Sequence, residues 1–222
     1  MSPQLIDLLI TSLLDTLLMV GVASAIAVVV GIPLGVVLTV TARGNMLENQ
    51  SVNHVLGAII NATRSVPFVI LMVAIIPFTR FVAQTSIGTT AAIVPLSVAA
   101  IPFMARIAEN AMREVDPGLI TAARAMGASP LQIICKVLLP EALPGLVAAT
   151  IVTIVSLIGY SAMAGAIGGG GLGDLGIRYG YQRFMPEVMA AVVIVLVVLV
   201  QGLQSLGEYL ARRANKRVRV TI

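Results

Sequence analysis

The 222-residue chain has one cysteine, one histidine and no tryptophan. Cys135 has no second cysteine with which to form an internal disulfide, and His54 has no Cys or His cluster around it, so both read as structural bystanders and no metal site is expected. Charge is scarce as well: 11% of residues are charged against 58% hydrophobic, more apolar surface than an ordinary soluble domain can hide. No G-x-x-x-x-G-K-[ST] string occurs, so the chain is not expected to bind or hydrolyse ATP. No basic residue precedes Arg43, so the first apolar segment lacks the positive region of a cleavable signal peptide and is expected to remain.

What is there is a set of long hydrophobic runs. A bilayer core about 30 Å thick needs roughly 20 apolar residues per helix, and five stretches qualify, near 16–40, 57–79, 89–107, 145–165 and 187–207. Runs such as AVVIVLVVLV at 191–200 do not alternate in polarity as barrel strands do. The expected fold class is therefore all-α, a polytopic membrane protein with five transmembrane helices, read as one domain over 1–222 with a cytoplasmic helical loop at about 108–144.

Basic residues set the orientation, because they are retained on the cytoplasmic side. With the N-terminus outside and the C-terminus cytoplasmic, the inner ends and loops hold Arg43, Arg64, Arg106, Arg113, Arg124, Lys136, Arg212, Arg213, Lys216, Arg217 and Arg219. The outside keeps only Arg80, Arg178 and Arg183. The formal net charge of +4 then reflects topology, and no nucleic-acid partner is expected.

Within the spans, Gly31 and Gly35 form a small-residue pair for close helix approach, and Pro33 between them suggests a kink. Pro67, Pro95 and Pro102 each remove an intrahelical hydrogen bond, and helices broken at membrane depth line a cavity or meet protein neighbours. Asp15 and Arg64 lie near span ends, and no chain of Asp, Glu or His crosses the spans. An ion-coupled carrier commonly needs such groups, so the driving energy is expected from another chain. A membrane enzyme is disfavoured too, since no cluster of His, Cys or carboxylates is visible. Arg64 and Ser65 read as bonding a helix end.

The long loop from about Ile107 to Pro144 reads as two helices. Asp116–Pro117 is an N-cap followed by a first-turn proline, and PGLITAARAM runs to Gly127, which suits a left-handed helix end. Leu119, Ala123 and Met126 share one face, with Ala122 and Ala125 leaving low surface beside it. Ser129, Pro130 and Gln132 form a capping box opening a second helix, expected to bend or stop near Pro140.

This loop resembles the cytoplasmic coupling loop of ABC-importer permeases, Glu-Ala-Ala, three residues, Gly, nine residues, a branched aliphatic, one residue, Leu-Pro. Ala122, Ala123, Gly127, Val137, Leu139 and Pro140 match at the required spacing, and Thr121 stands where Glu is usual. The blocks RSVPFVILMVAIIPFTR, TSIGTTAAIVPL, RAMGASPLQI, KVLLPEALPGLV and GYSAMAGAIGGGGLGDLG, between Arg64 and Gly176, are similar to the methionine-importer branch. The resemblance implies a type I importer permease fold in a bacterial inner membrane, a homodimer, two ATPase subunits that bind ATP and Mg, and an extracytoplasmic binding protein. It implies that Met126, Ala128, Ser129, Pro130 and Leu131, with the six matching residues, meet the ATPase. The chain itself would carry no cofactor. A permease for another small amino acid or solute fits the same loop.

Tyr160 and Met163, one turn apart before the glycine-rich segment, read either as helix packing or as lining the substrate path. Gly171, Gly173 and Gly176 satisfy G-x-G-x-x-G but follow a membrane helix and not a strand, so an external gate or a tight packing turn is expected in place of a nucleotide site. The sequon at Asn61–Thr63 falls at the cytoplasmic boundary and reads as incidental.

Overall fold

A computed structural model describes residues 3–214; Lys216, Arg217 and Arg219 of the basic tail lie outside the described residues. The described residues are helical throughout, apart from short connections. In order they form α1 (Pro3–Thr41), α2 (Gln50–Ser65), α3 (Phe68–Ala74), α4 (Ile76–Ala83), α5 (Thr89–Arg113), α6 (Pro117–Ala125) and α7 (Pro130–Ile133). A π-helical segment, Ile134–Leu138, joins α7 to α8 (Leu139–Gly165). Then come α9 (Gly171–Leu175), a second π segment (Gly176–Gln182) and α10 (Pro186–Ala214).

Among the described residues, four helices are long and apolar enough to cross a bilayer, namely α1, α5, the run Pro130–Gly165 and α10. They contain the first, third, fourth and fifth expected spans. The second, 57–79, is not one helix: α2 ends at Ser65, α3 begins at Phe68, and the two axes differ by 101°, so a fifth span exists only if this bent pair is counted as one. Not every proline breaks its helix, however. Pro33, Pro95 and Pro102 all sit inside continuous helices. An interior proline costs a helix about 3 kcal/mol; Pro95 and Pro102 are buried, but Pro33 is as exposed as Pro67 and its helix continues, so exposure by itself does not set where the chain opens. The helix entering Pro140 also neither stops nor needs to. The π segment just before it closes with the Leu139 N–H on the Ile134 carbonyl, a wider turn that carries the helix past a residue with no N–H to donate.

The chain forms two compact units. One comprises the chain up to Ile26, Val66–Ala100 and Thr153–Gln204. Its core gathers Leu172, Leu175, Val188 and Val192, against which Leu5, Leu9, Leu13 and Tyr179 pack. The buried Thr16 hydroxyl accepts the Leu172 N–H at 2.9 Å, satisfying one free donor of α9.

The other unit comprises Ala27–Ser65, Ile101–Val152 and the chain from Ser205. The expected role of Gly31 and Gly35 is met here: a Cβ at either would lie 2.8 Å from Met104 Cβ or the Ala105 carbonyl, so α1 and α5 approach at these two positions. Leu38, Ile60 and Ala105 form the adjoining core, with Leu34 and Leu56 packed on it.

Candidate functional site: the coupling segment

The segment from Asp116 to Pro140 is built from local signals that satisfy one another. Asp116 Oδ1 accepts the Gly118 N–H at 2.8 Å, and Pro117 occupies the first turn, where its missing N–H costs nothing. At the other end of α6, Gly127 has φ +80° and donates to the Arg124 carbonyl at 2.9 Å, while Ala128 donates to the Ala123 carbonyl at 3.1 Å. That pair of bonds is the left-handed arrangement that closes a helix end. One residue later Ser129 starts α7: its hydroxyl accepts the Gln132 N–H at 3.4 Å and its own N–H donates to Gln132 Oε1 at 2.9 Å. Two helices are thus joined through Met126–Ser129 by bonds at almost every position, leaving little slack in the angle between them.

The exposed side of the segment differs from the expected face. Met126 is 81% exposed and Leu131 70%, with Leu119 at 38%. Ala123 is only 5% exposed, so it packs within the chain and is not on an open face with Leu119 and Met126. Ala122, Ser129 and Pro130 are exposed and Ala128 is half-buried. Further on, Val137 and Leu139 are half-buried and Pro140 is exposed, while their neighbours Ile133 and Leu138 are fully buried and hold this stretch to the unit. Thr121 does not imitate the usual carboxylate; its hydroxyl donates to the Pro117 carbonyl at 3.0 Å.

Tyr160 and Met163 occupy the C-terminal half of α8. The Tyr160 ring stacks on Phe68, the first residue after the break at Pro67, with centroids 4.8 Å apart and planes 8° from parallel. Met163 is 47% exposed. Neither lines the small cavity of about 50 Å³ bounded by Met72, Thr79, Ala91, Pro95, Ala164 and Ile167, into which the buried Thr79 hydroxyl brings no hydrogen bond. The Gly171–Gly176 string is a packing turn: Gly171, Leu172, Asp174 and Leu175 are buried, and a Cβ on Gly173 would run into the backbone of Ala162. Arg64, at the end of α2, lies over the Phe103 ring at 5.8 Å, and Ser65 donates to the Asn61 carbonyl at 2.8 Å.

An ionic cluster escaped the reading of the sequence. Glu109, with a side chain 1% exposed, is held at 2.6 Å by both Arg106 and Arg113. The signal was present as an i, i+3 and i+4 charge pattern, but a charge pattern does not say that its carboxylate is buried.

A helical membrane protein with a rigid two-helix segment between spans defines a class of transport protein, and comparison with known proteins gives the family. Residues 31–219 match the binding-protein-dependent transport system inner membrane component, and the chain belongs to that family. It is 56% identical over 211 residues to the probable D-methionine transport system permease protein MetI of Vibrio cholerae, covering 95% of this chain and 94% of that one. It is 52% identical over 165 residues to the D-methionine transport system permease protein MetI of Escherichia coli K12, covering 74% and 76%. A solved MetNI methionine ABC transporter in inward-facing conformations has a chain that superposes with a TM-score of 0.96 at 49% identity, covering 97% of this chain and all of that one. An amino-acid ABC transporter crystallised with histidines shares the fold, with a TM-score of 0.76 at 21% identity. The protein is accordingly a multi-pass inner-membrane permease subunit.

Proposed function

We propose that the chain imports methionine as the membrane-spanning part of an ABC importer, working as a homodimer with two cytoplasmic ATPase subunits and an extracytoplasmic binding protein. The observation that carries the coupling role is the segment 116–132: capped at both helix starts, closed by Gly127 between them, and leaving Met126 and Leu131 exposed. Exposed large apolar side chains on a stiff support suit a buried protein contact. ATP with Mg on the partner subunits supplies the energy that closes the ATPase pair. The chain's own part is to move as a lever, since a segment without slack passes displacement to α5 and α8, with which it is continuous in sequence. Ala122, Ala128, Ser129 and Pro130 border the contact, Val137, Leu139 and Pro140 follow it, and buried Ile133 and Leu138 root the stretch. Ala123 belongs to the support.

Orientation with the N-terminus outside is favoured by the distribution of basic residues, 11 of the 14 lying on the cytoplasmic side in that arrangement. Tyr160 and Met163 are assigned to the substrate path on this reading, the stacked Tyr160–Phe68 pair standing where a proline-broken helix meets α8. Vesicles reconstituted with this chain, its ATPase and its binding protein should take up methionine only when ATP is supplied. Methionine uptake by the chain alone would make it a carrier, and uptake of a different solute in preference would move it to another substrate branch.

A further inference from the structure

The buried residues of the helical run Pro130–Gly165 change their spacing at one place. Leu138, Ala142, Leu146, Ala149 and Thr153 follow one another at intervals of four, four, three and four, the period of one α-helix face. Ile133, also buried, stands five before Leu138, and the π segment Ile134–Leu138 lies between them. One extra residue in the turn brings Ile133 and Leu138 onto the same face; in an unbroken α-helix they would point about 140° apart.

The sequence offers a second position for that extra residue. Val137 precedes Leu138 and stands four after Ile133, the ordinary α-helical interval. With the wide turn moved toward Pro140, Ile133 and Val137 share the buried face, and the interval of five falls between Val137 and Ala142. One branched aliphatic side chain then replaces another that is larger by a single methylene. Backbone bonding does not separate the two positions either. Pro140 has no N–H, so neither Cys135 nor Lys136 receives the bond that residue 140 would make in a π or an α turn, and the ladder is interrupted here in both arrangements. The travel is bounded at each end. The Ser129–Gln132 capping box fixes the start of α7, and a shift past Ala142 would carry Glu141, which is exposed, into the buried slot, where a charge is excluded.

We propose that the π segment is a two-position register element: closure of the ATPase pair moves the wide turn one turn toward Pro140, and Val137 replaces Leu138 in the buried slot. The trigger rests on the coupling role proposed above. Residues 134–138 turn by about 100° and slide by about 1.5 Å, while the capped α7 start before them and α8 after them keep their places. Helix α6 packs on this segment, so the seat of the docking helix changes with the register. Packed elements with two discrete arrangements convert a small displacement into a switch.

The test is thiol labelling of the intact transporter with a membrane-permeant maleimide, in a Cys135→Ser background carrying Val137→Cys or Leu138→Cys. Without nucleotide, the thiol at 138 should be protected and that at 137 reactive. Trapping the ATPases closed with Mg-ATP and vanadate should invert this pattern. Reactivity at 138 should rise about tenfold or more, because a minor state is at most about 10% populated before the shift, and reactivity at 137 should fall. Val137→Asn, which leaves a half-buried position polar but cannot enter the slot, should abolish the response at 138. The 137 probe replaces a half-buried side chain and stays readable if Leu138→Cys purifies poorly. Unchanged reactivity on trapping, a parallel rise at both positions, or a response at 138 that survives Val137→Asn overturns the register element. ATP-dependent uptake by the parent transporter, measured alongside, tests the coupling role separately.

Discussion

Two glycine turns in this protein do opposite jobs with the same residue. At Gly127 an added Cβ would meet nothing within 4 Å, and the glycine is there for its φ of +80° alone. At Gly173 the backbone conformation is ordinary helix, but a Cβ would collide with the backbone of Ala162, and one at Gly165 with that of Asp174. The first turn is held by bonds between residues five or fewer apart; the second exists because two pieces of chain are pressed together. A turn of the first kind sets an angle and leaves its surroundings free. A turn of the second kind is part of the packing and cannot change without it.

The contrast is broken most severely at the packed turn. Gly173→Val should cost at least about 3 kcal/mol, the upper range for overpacking, because the colliding atoms are backbone and cannot rotate away. Membrane yield and thermal stability of the purified protein should both fall; a normal melting temperature would show that the turn is as open as that at Gly127.

Gly127→Val comes next, with a strain of about 1–2 kcal/mol for a left-handed residue bearing a Cβ. The protein should insert and purify in near-normal amount while ATP-dependent uptake falls. Full uptake by this variant would remove the angle-setting role from the turn.

Smaller again in stability is the double change Met126→Ser and Leu131→Ser. Exposed positions away from special features usually shift stability within about 0.5 kcal/mol, so melting should be unaffected while co-purification of the ATPase drops. By contrast Ala123→Asp, which buries a charge inside the chain, should reduce yield before any docking defect can be read.

The smallest effect concerns the connection between α1 and α2. There the Gln50 side chain and the Gly44 N–H donate to the Glu48 carboxylate at 3.0 and 2.9 Å and hold its carboxyl below the ordinary range. A depressed folded-state pKa means that the bonds are present above the unfolded value and lost as pH falls through the folded one. Gly44 amide exchange should therefore quicken only in acid below the usual carboxylate range, and Glu48→Gln should remove that dependence.

Much of segment 116–132 was legible because its instructions are short-range. Asp116–Pro117, Gly127 and Ser129–Gln132 act on neighbours within five positions, so the residue types alone predict the bonds found. The four long spans were legible for a related reason: about twenty apolar residues admit no other solution in lipid. The Arg106–Glu109–Arg113 cluster was not, since its charges could as well have faced solvent. Ala123 was misplaced because helical periodicity says which residues share a face and not which face is covered.

The sequence by itself determined the helical membrane fold, the caps and turn of segment 116–132, and the family to which that segment belongs. Only the tertiary structure decided that Pro95 and Pro102 are absorbed while Pro67 divides a span, that the helix passes Pro140 through a π segment, that Ala123 lies inside, and that the glycine string is a packed turn. Each of these depends on what stands beside a residue in space. Its energy comes from burial and steric contact with distant parts of the chain, and local propensity carries no record of such neighbours.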